Sequence, residues 1–206
     1  MSLSQVLKTS INPLTDETKV SKEIQHSTHY SCHSIVSPEI VNSVSFGFDK
    51  SSNHLLVFES NSRVFVIKLL LSDERFDTSF DYELIQDFII GVKSSAVCLS
   101  PETNIDAIDC CLRLAVATFH YDIRVIRSDY RSVEPNVELL YLRQHSDFIN
   151  DIAFEPFGGQ TLASVSDDCS CCLWTISATG AQLESRLTLT SAGVSVKWHK
   201  SEPNKV

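Results

Sequence analysis

The sequence predicts an all-β protein built from repeated sheets of four short strands. Three observations support this: alternation of apolar and polar residues, a recurring interval of 12 positions between two apolar residues, and polar loops between the alternating segments. Of the 206 residues, 43% are hydrophobic and 21% charged, which is enough for an apolar core. Four strands in each unit of roughly 40 to 60 residues is the arrangement of a β-propeller.

The 12-position interval marks three copies of a two-stranded hairpin. The copies run from Leu55 to Ile67, from Leu114 to Ile126 and from Leu162 to Trp174, so their starts are offset by 59 and 48 residues. We place the tight turns at residues 59–62, 119–122 and 167–170. Each hairpin joins two strands, because its Val, Ile, Leu and Phe residues alternate with a period of two.

A further strand precedes and follows each hairpin. The preceding strands are predicted at 41–48, 95–99 and 148–154, and the following ones at 82–88, 137–142 and 182–189. These limits define blade 1 (41–92), blade 2 (93–143) and blade 3 (144–192). Residues 193–206 are predicted to hold the truncated first strand of blade 4, because 194–198 aligns with 150–154. The expected fold is therefore an incomplete propeller of about three blades and one strand.

The third copy resembles the WD-repeat family. In that family an Asp, a His, a Ser or Thr and a Trp form a buried hydrogen-bonded network, and the matching residues are Asp168, His145, Ser164 and Trp174. A Trp side chain only donates, a carboxylate only accepts, and a hydroxyl or neutral imidazole does both. The four residues are therefore expected to be a structural tetrad that fixes the register of the blade.

A catalytic triad of Ser164, His145 and Asp168 is the alternative interpretation of the same residues. The sequence has no G-x-S-x-G turn to expose a nucleophilic serine, and the turn itself explains the acidic pair Asp167 and Asp168. We expect no enzyme, no cofactor and no small-molecule substrate.

The first two copies depart from the WD pattern. Apolar packing is expected to replace the polar network in both. At the Trp, Asp and Ser positions they carry Ile126, His120 and Val116 in the second copy, and Ile67, Asn61 and Val57 in the first.

Charge and hydropathy exclude several classes of partner. The net charge of −9 and the pI near 5.2 disfavour direct binding of nucleic acid. The sequence contains no run of 18 apolar residues, so we expect no membrane insertion. The absence of an apolar leader argues against secretion. The seven cysteines are expected to remain free thiols. Arg124, Arg127 and Arg131 are interpreted as a solvated strand edge and loop.

Four smaller features have alternative interpretations. His26, His29, Cys32 and His33 suggest zinc, but one run in a polar segment is weaker than two separated ligand pairs, and we expect no metal. We assign residues 1–27 to a disordered leader and 28–40 to an outer strand. Cys169, Cys171 and Cys172 are expected to be packing residues. The long loop at 102–112 either carries contacts or is an inert excursion.

Several segments are similar to the family of thirty-seven-kilodalton WD-repeat nucleoporins. The resemblance covers about residues 41–199, and the leader does not obviously match. The segments that carry it are 100–103, 123–129, 145–150, 162–168 with Trp174, and 195–199.

The resemblance implies a seven-bladed propeller with a structural role in the nuclear pore. It implies docking onto the large propeller-and-solenoid nucleoporin of the Y-shaped outer-ring complex, a location at the nuclear envelope, and association with kinetochores in mitosis. It also implies that a strand near 29–35 would close the ring, whereas this sequence holds only part of that ring. The alternative is a generic WD adaptor such as a ubiquitin-ligase substrate receptor, although Trp174-Thr175-Ile176-Ser177 lacks the Asp and Arg that such receptors often carry there.

Overall fold

The computed structural model describes residues 5–6, 36–37, 40–47, 54–71, 80–107, 110–129, 131, 137–177, 180–199, 201–202 and 205–206. Fourteen β-strands form within these residues. None of the described residues belongs to a helix with the length and apolarity that a membrane span requires.

Three antiparallel sheets of four strands account for most of the described chain. The first contains β3 (Val41–Phe46), β4 (Leu55–Ser60), β5 (Arg63–Leu71) and β6 (Phe80–Ile89). The second contains β7 (Ser94–Leu99), β8 (Leu112–Thr118), β9 (Asp122–Ser128) and β10 (Val137–Arg143). The third contains β11 (Ile149–Phe154), β12 (Thr161–Ser166), β13 (Ser170–Ser177) and β14 (Gly180–Thr188). A small separate sheet pairs β1 (Gln5–Val6) with β2 (Val36–Ser37).

In each large sheet the strands are adjacent in chain order, so each sheet is a simple meander. The inner strand β7 contacts β3 on one side and β11 on the other, so the three sheets stand side by side along one arc. This is the arrangement of consecutive propeller blades, and it confirms the all-β propeller prediction. We call the sheets blades 1, 2 and 3.

Two apolar clusters hold the blades together. One lies between blades 1 and 2 and includes Val57, Val66, Leu114 and Val116. The other lies between blades 2 and 3 and includes Ala115, Val125, Ile152 and Trp174. The second strands β4 and β8 are buried at every residue, so both faces of each are covered, and their sequences are largely apolar.

At each of three interfaces, a residue of the second strand of one blade faces the start of the next inner strand or, after blade 3, of the segment that follows it. The residue types of this pair differ among the three interfaces. Ladder register and contacts give the pairs Glu59 with Ser94, Ala117 with Ile149, and Val165 with Gly193. The first pair is polar, the second is apolar, and the third leaves no room for a side chain at residue 193. A Cβ atom there would lie 2.7 Å from Cβ of Val165.

The first hairpin is one residue shorter than the predicted alignment assumed. Leu56, not Leu55, pairs with Ile67, as Leu162 pairs with Trp174 in blade 3. The position of Ser164 in blade 1 therefore belongs to Phe58, and its assignment to Val57 is wrong. The alignment differs by one residue because Ser60 pairs directly with Arg63. This pairing leaves two residues in the turn of blade 1, whereas the turn of blade 3 has three.

The two ends of the described chain were predicted to hold a disordered leader, an outer strand and the first strand of blade 4. Gln5 and Val6 lie in a strand, although residues 1–27 were expected to be disordered. Of the outer strand predicted at 28–40, the structure describes a strand only at Val36–Ser37. Residues 194–198 run alongside β11 but join no ladder among the described residues. Most of 1–35, including the four candidate zinc ligands, lies outside the described residues.

The long loop of blade 2 is anchored to blade 1. Ile105 is buried in the cluster between the two blades. Asp106 lies 3.0 Å from Nζ of Lys68 and 3.7 Å from Nε2 of His54. Asn104 and Cys111 pair across the base of the loop. The loop is therefore packed against the neighbouring blade, and whether it also contacts a partner stays a prediction.

Candidate functional site

The structure brings the four predicted tetrad residues together inside blade 3. His145 lies in the connection between β10 and β11, Ser164 in β12, Asp168 in the β12–β13 turn and Trp174 in β13. The side chains of all four are buried. One site therefore ties the two central strands of the blade to their turn and to the connection from the preceding blade.

A continuous chain of hydrogen bonds links the four side chains. Nε1 of Trp174 donates to Oγ of Ser164 at 2.9 Å, and this oxygen lies 2.8 Å from Nε2 of His145. Nδ1 of His145 lies 3.0 Å from Oδ2 of Asp168. A carboxylate only accepts, so we assign the imidazole proton to Nδ1. Ser164 then donates to Nε2, and every polar group of these four side chains that takes part in the hydrogen-bond network has a partner.

Further donors converge on Asp168. Its Oδ2 accepts from the Ser146 amide at 3.1 Å and from Nη2 of Arg186 at 3.3 Å. Its Oδ1 accepts from the hydroxyl of Ser170 at 2.6 Å. Burial alone would raise the pKa of this carboxyl, but the hydrogen bonds from Ser170, Ser146 and His145 outweigh it, and the pKa falls to about 2. Asp168 is therefore ionised throughout the physiological range.

His145 is held neutral. Burial lowers its pKa below the ordinary value, and the neighbouring Asp168 offsets only part of that effect. Neutral imidazole can accept from Ser164 while it donates to Asp168, whereas a doubly protonated ring could not accept.

Two members of this network were not predicted from the sequence. Ser170 is buried, and its hydroxyl lies 3.3 Å from Nδ1 of His145. Its position two residues after Asp168 in a tight turn could have indicated it. Arg186 comes from β14, and only the ladder register shows that it reaches Asp168.

The geometry does not present Ser164 as a nucleophile. Ser164 has no accessible surface, and its oxygen already bonds to Trp174 on one side and His145 on the other. A reacting group must touch its substrate, and this hydroxyl has no free approach. The arrangement is suited to holding strands together.

Blade 2 has a polar site of its own, so apolar packing alone does not replace the tetrad there. Asp122 is buried and accepts from the hydroxyl of Thr118. Its carboxylate also lies 3.7 Å from Nε of Arg124 and 3.9 Å from Nε of Arg143. The amide of His120 donates to Thr118 as that of Asp168 donates to Ser166, so His120 does occupy the Asp position.

The predicted basic cluster separates into three different environments. Arg124 is mostly buried and donates to the carbonyl of Ile90 in blade 1, so its assignment to a solvated edge is wrong. The burial comes from the neighbouring blade, which local sequence does not show. Arg127 is half exposed and lies 3.6 Å from Glu138. Arg131 donates to the carbonyl of Ala107 in the long loop.

The described cysteines are all free thiols. Cys171 packs into the cluster that contains Val196, and Cys172 into the cluster between blades 2 and 3. Cys171 and Cys172 therefore point to opposite faces of the strand, and both are packing residues. No group of three or more His, Cys, Asp or Glu residues in the described chain is arranged to hold a metal ion.

Comparison with known proteins identifies a relative in animals. The chain is 31% identical to nucleoporin Nup37 of Mus musculus over 185 residues, which cover 88% of this chain and 55% of the mouse protein. The chain is Nup37-like in sequence. Human Nup37 is 31% identical over 156 residues, covering 75% of this chain and 46% of the relative. Nup37 of Drosophila melanogaster is 35% identical over 131 residues, covering 62% and 39%.

These matches confirm the resemblance to the nucleoporin family. The chain spans about half the length of the mouse and human relatives that it matches, and less of the Drosophila one. No family model matches the sequence.

Solved structures support the WD40-like propeller fold. Sqt1 of Chaetomium thermophilum superposes with a TM-score of 0.56 at 16% identity, covering 77% of this chain and 41% of that one. A chain of a ctPRC2 complex gives 0.50 at 22% identity, covering 67% and 27%. At these identities the similarity concerns the fold alone.

Proposed function

We propose that this Nup37-like chain is a structural docking subunit of the nuclear pore. Its place would be the Y-shaped outer-ring scaffold, where it would bind the large propeller-and-solenoid nucleoporin. The observation that carries the proposal is the similarity to three Nup37 proteins, which extends over 88% of this chain for the mouse relative. The corresponding location is the nuclear envelope at the pore, with kinetochores as a mitotic site.

The chemistry of blade 3 supports a scaffold role. Its most elaborate polar site, around Ser164 and His145, is buried and internally satisfied. Such a network makes a blade rigid and fixes its register, which a docking surface requires. The net charge of −9 also favours protein partners over nucleic acid.

Apolar side chains on the outer strands offer a surface for such a partner. Tyr141 on β10 and Leu183 on β14 are both exposed and line one groove with Ala181 and Arg143. Aromatic residues and arginine are enriched at protein–protein interfaces. Single exposed apolar residues are ordinary on a protein surface, but here several share one groove. We assign this outer groove, between blades 2 and 3, to contact with the nucleoporin partner.

Recovery from cells tests the proposed function. The full chain, carrying an affinity tag, is expressed in Drosophila cells, and nuclear envelopes are solubilised and purified on the tag. We expect outer-ring nucleoporins in the eluate and a rim signal at the nuclear envelope by imaging. A soluble cytosolic monomer without a pore signal, or recovery of a ubiquitin-ligase adaptor instead, would overturn the proposal.

The outer groove is tested separately in the same cells. Changing Tyr141→Ala together with Leu183→Ala is expected to reduce recovery of the partner about tenfold, as the loss of a central apolar contact does. The matched control changes Tyr82→Ala and Leu84→Ala, a tyrosine and a leucine that are also exposed, on β6 of blade 1. Equal recovery from both variants would remove the groove from the proposal and leave the scaffold role standing.

A further inference from the structure

The inner strands of the three blades share one irregularity. Each ladder shifts register at the same point, so that one residue is skipped between the first and second paired positions. Such a bulge redirects the side chain that follows it. The residues directly after the shift are Ser43 in blade 1, Ala96 in blade 2 and Asp151 in blade 3. The next residues in the three strands are Val44, Val97 and Ile152.

The side chain after the bulge can bind the next blade. Between blades 1 and 2, Oγ of Ser43 accepts from the amide of Val97 at 3.3 Å. Between blades 2 and 3 the corresponding residue is Ala96, which has no acceptor. There the amide of Ile152 donates to its own neighbour, Oδ1 of Asp151, at 2.9 Å. Between blades 1 and 2, the oxygen at this position therefore accepts from an amide of the following inner strand, and between blades 2 and 3 no such bond forms.

Asp151 directs its second oxygen away from blade 2. Its Oδ2 accepts from the hydroxyl of Ser195 at 2.7 Å, from the amide of Val196 at 3.1 Å and from Nζ of Lys197 at 3.1 Å. Val196 is thus bound to Asp151 as Val97 is bound to Ser43. This equivalence gives Val196 the register of Val97, the third paired residue of an inner strand.

We propose that Asp151 is a positioning residue for blade 4, which holds residues 194–198 as the inner strand of that blade and sets their register. The surrounding contacts agree with this assignment. Val196 is buried against Ala153 and Val165, and Nε1 of Trp198 donates to the carbonyl of Ala153 at 2.9 Å. Three donors on one carboxylate oxygen hold the segment in place where no ladder partner is present among the described residues.

The contribution of Lys197 is distinct from that of the other donors. Its side chain is 71% exposed, so its ion pair with Asp151 is weak and easily screened by salt. The amide of Val196 and the hydroxyl of Ser195 determine the register, because the first belongs to the backbone and the second lies on a short side chain close to it. Lys197→Ala should therefore leave the segment in place.

The two tryptophans of the chain provide the test. Trp174 reports on the tetrad of blade 3, and Trp198 reports on the proposed docking position. The full chain is labelled with 5-fluorotryptophan, and the two 19F resonances are followed. Asp151→Ala is expected to move the Trp198 resonance to its position in the unfolded chain and leave the Trp174 resonance unchanged. Exchange of the Val196 amide should accelerate at least about tenfold, as loss of a hydrogen bond to a charged group predicts.

Control variants separate docking from general destabilisation. Asp147→Ala removes an exposed carboxylate just before the same strand and should shift neither resonance. Ser195→Ala should give a smaller change than Asp151→Ala and add nothing to it in the double variant. An unchanged Trp198 resonance in Asp151→Ala, a simultaneous shift of both resonances, or additive effects of the two changes would each overturn the proposal.

Discussion

The hydroxyl of Ser164 accepts the indole N–H of Trp174 at 2.9 Å in a site closed to solvent. Ser164→Ala would leave that N–H and Nε2 of His145 without partners. We expect a loss of about 1–3 kcal/mol in the free energy of unfolding, which chemical denaturation can measure. Ser146→Ala is the matched control, because the Ser146 side chain is exposed and only its amide joins the network. Equal stability of the two variants would contradict the structural role of the tetrad.

The same network predicts lower stability in weak acid. Burial depresses the folded pKa of His145 below its ordinary value of 6.5, so the unfolded chain binds more protons below that pH. Stability should fall as the pH drops through 6.5, and the fall should be smaller in His145→Gln. The measurement is the difference in unfolding free energy between the wild type and the variant, from about pH 8 to pH 5. A difference that does not change with pH would argue against a neutral His145.

The contribution of Asp168 to stability is expected to change at still lower pH, and to decrease as the pH falls. Its folded pKa of about 2 lies below the ordinary 3.8. The stability it contributes is present above 3.8 and lost as the pH falls towards 2. Acid unfolding of Asp168→Asn should therefore be less steep in this window than that of the wild type. Asp167→Asn, which changes an exposed neighbour, should retain the wild-type slope.

For Glu59 we expect stability to change with pH in the opposite direction. Glu59 is buried between blades 1 and 2, and burial raises its pKa above 4.5, with the hydrogen bond from Asn42 opposing the rise only in part. Its contribution to stability is present below 4.5 and lost as the pH rises through the folded pKa. Glu59→Gln should therefore gain stability relative to the wild type as the pH increases. Glu83→Gln, on the exposed face of β6, should show no such trend.

Burial and charge in the long loop can be separated by two variants. Ile105 is buried between blades 1 and 2, so Ile105→Ala should cost about 2–5 kcal/mol in unfolding free energy. Asp106 is 55% exposed in its ion pair with Lys68, so Asp106→Ala should cost less than about 1 kcal/mol and less still in high salt. A larger cost for Asp106→Ala than for Ile105→Ala would show that ion pairing anchors the loop.

The strands and the tetrad could be predicted because both depend on local pattern. Alternation locates a strand whatever lies opposite it, and the spacing of His145, Ser164, Asp168 and Trp174 is that of one blade. The length of a turn is less visible. Asn61 adopts a positive φ of 51° in a two-residue turn, and Cys169 one of 58° in a three-residue turn. Both sequences read as polar turns, so the register of the first hairpin was misplaced by one residue.

Contacts between blades could not be predicted, since they join residues distant in sequence. From the sequence alone Arg124 is predicted to be solvated, because its contact with the carbonyl of Ile90 exists only in the folded protein. The role of Asp151 is equally hidden, because its donors lie 44 to 46 residues further along the chain. A pattern within one repeat carries no information about which side chain the next repeat presents.

The unlike pairs at the blade interfaces have a consequence for the history of the repeat. Glu59 faces Ser94, Ala117 faces Ile149, and Val165 faces Gly193, so each blade is matched to one successor only. If blade 2 were deleted, Glu59 would be placed against Ile149, with an apolar group opposite a buried carboxyl. A duplication of blade 3 would set the side chain of Ile149 against Val165, where only glycine fits. Gain or loss of a whole repeat in such a lineage would therefore require compensating substitutions on both flanks, which favours a fixed number and order of blades.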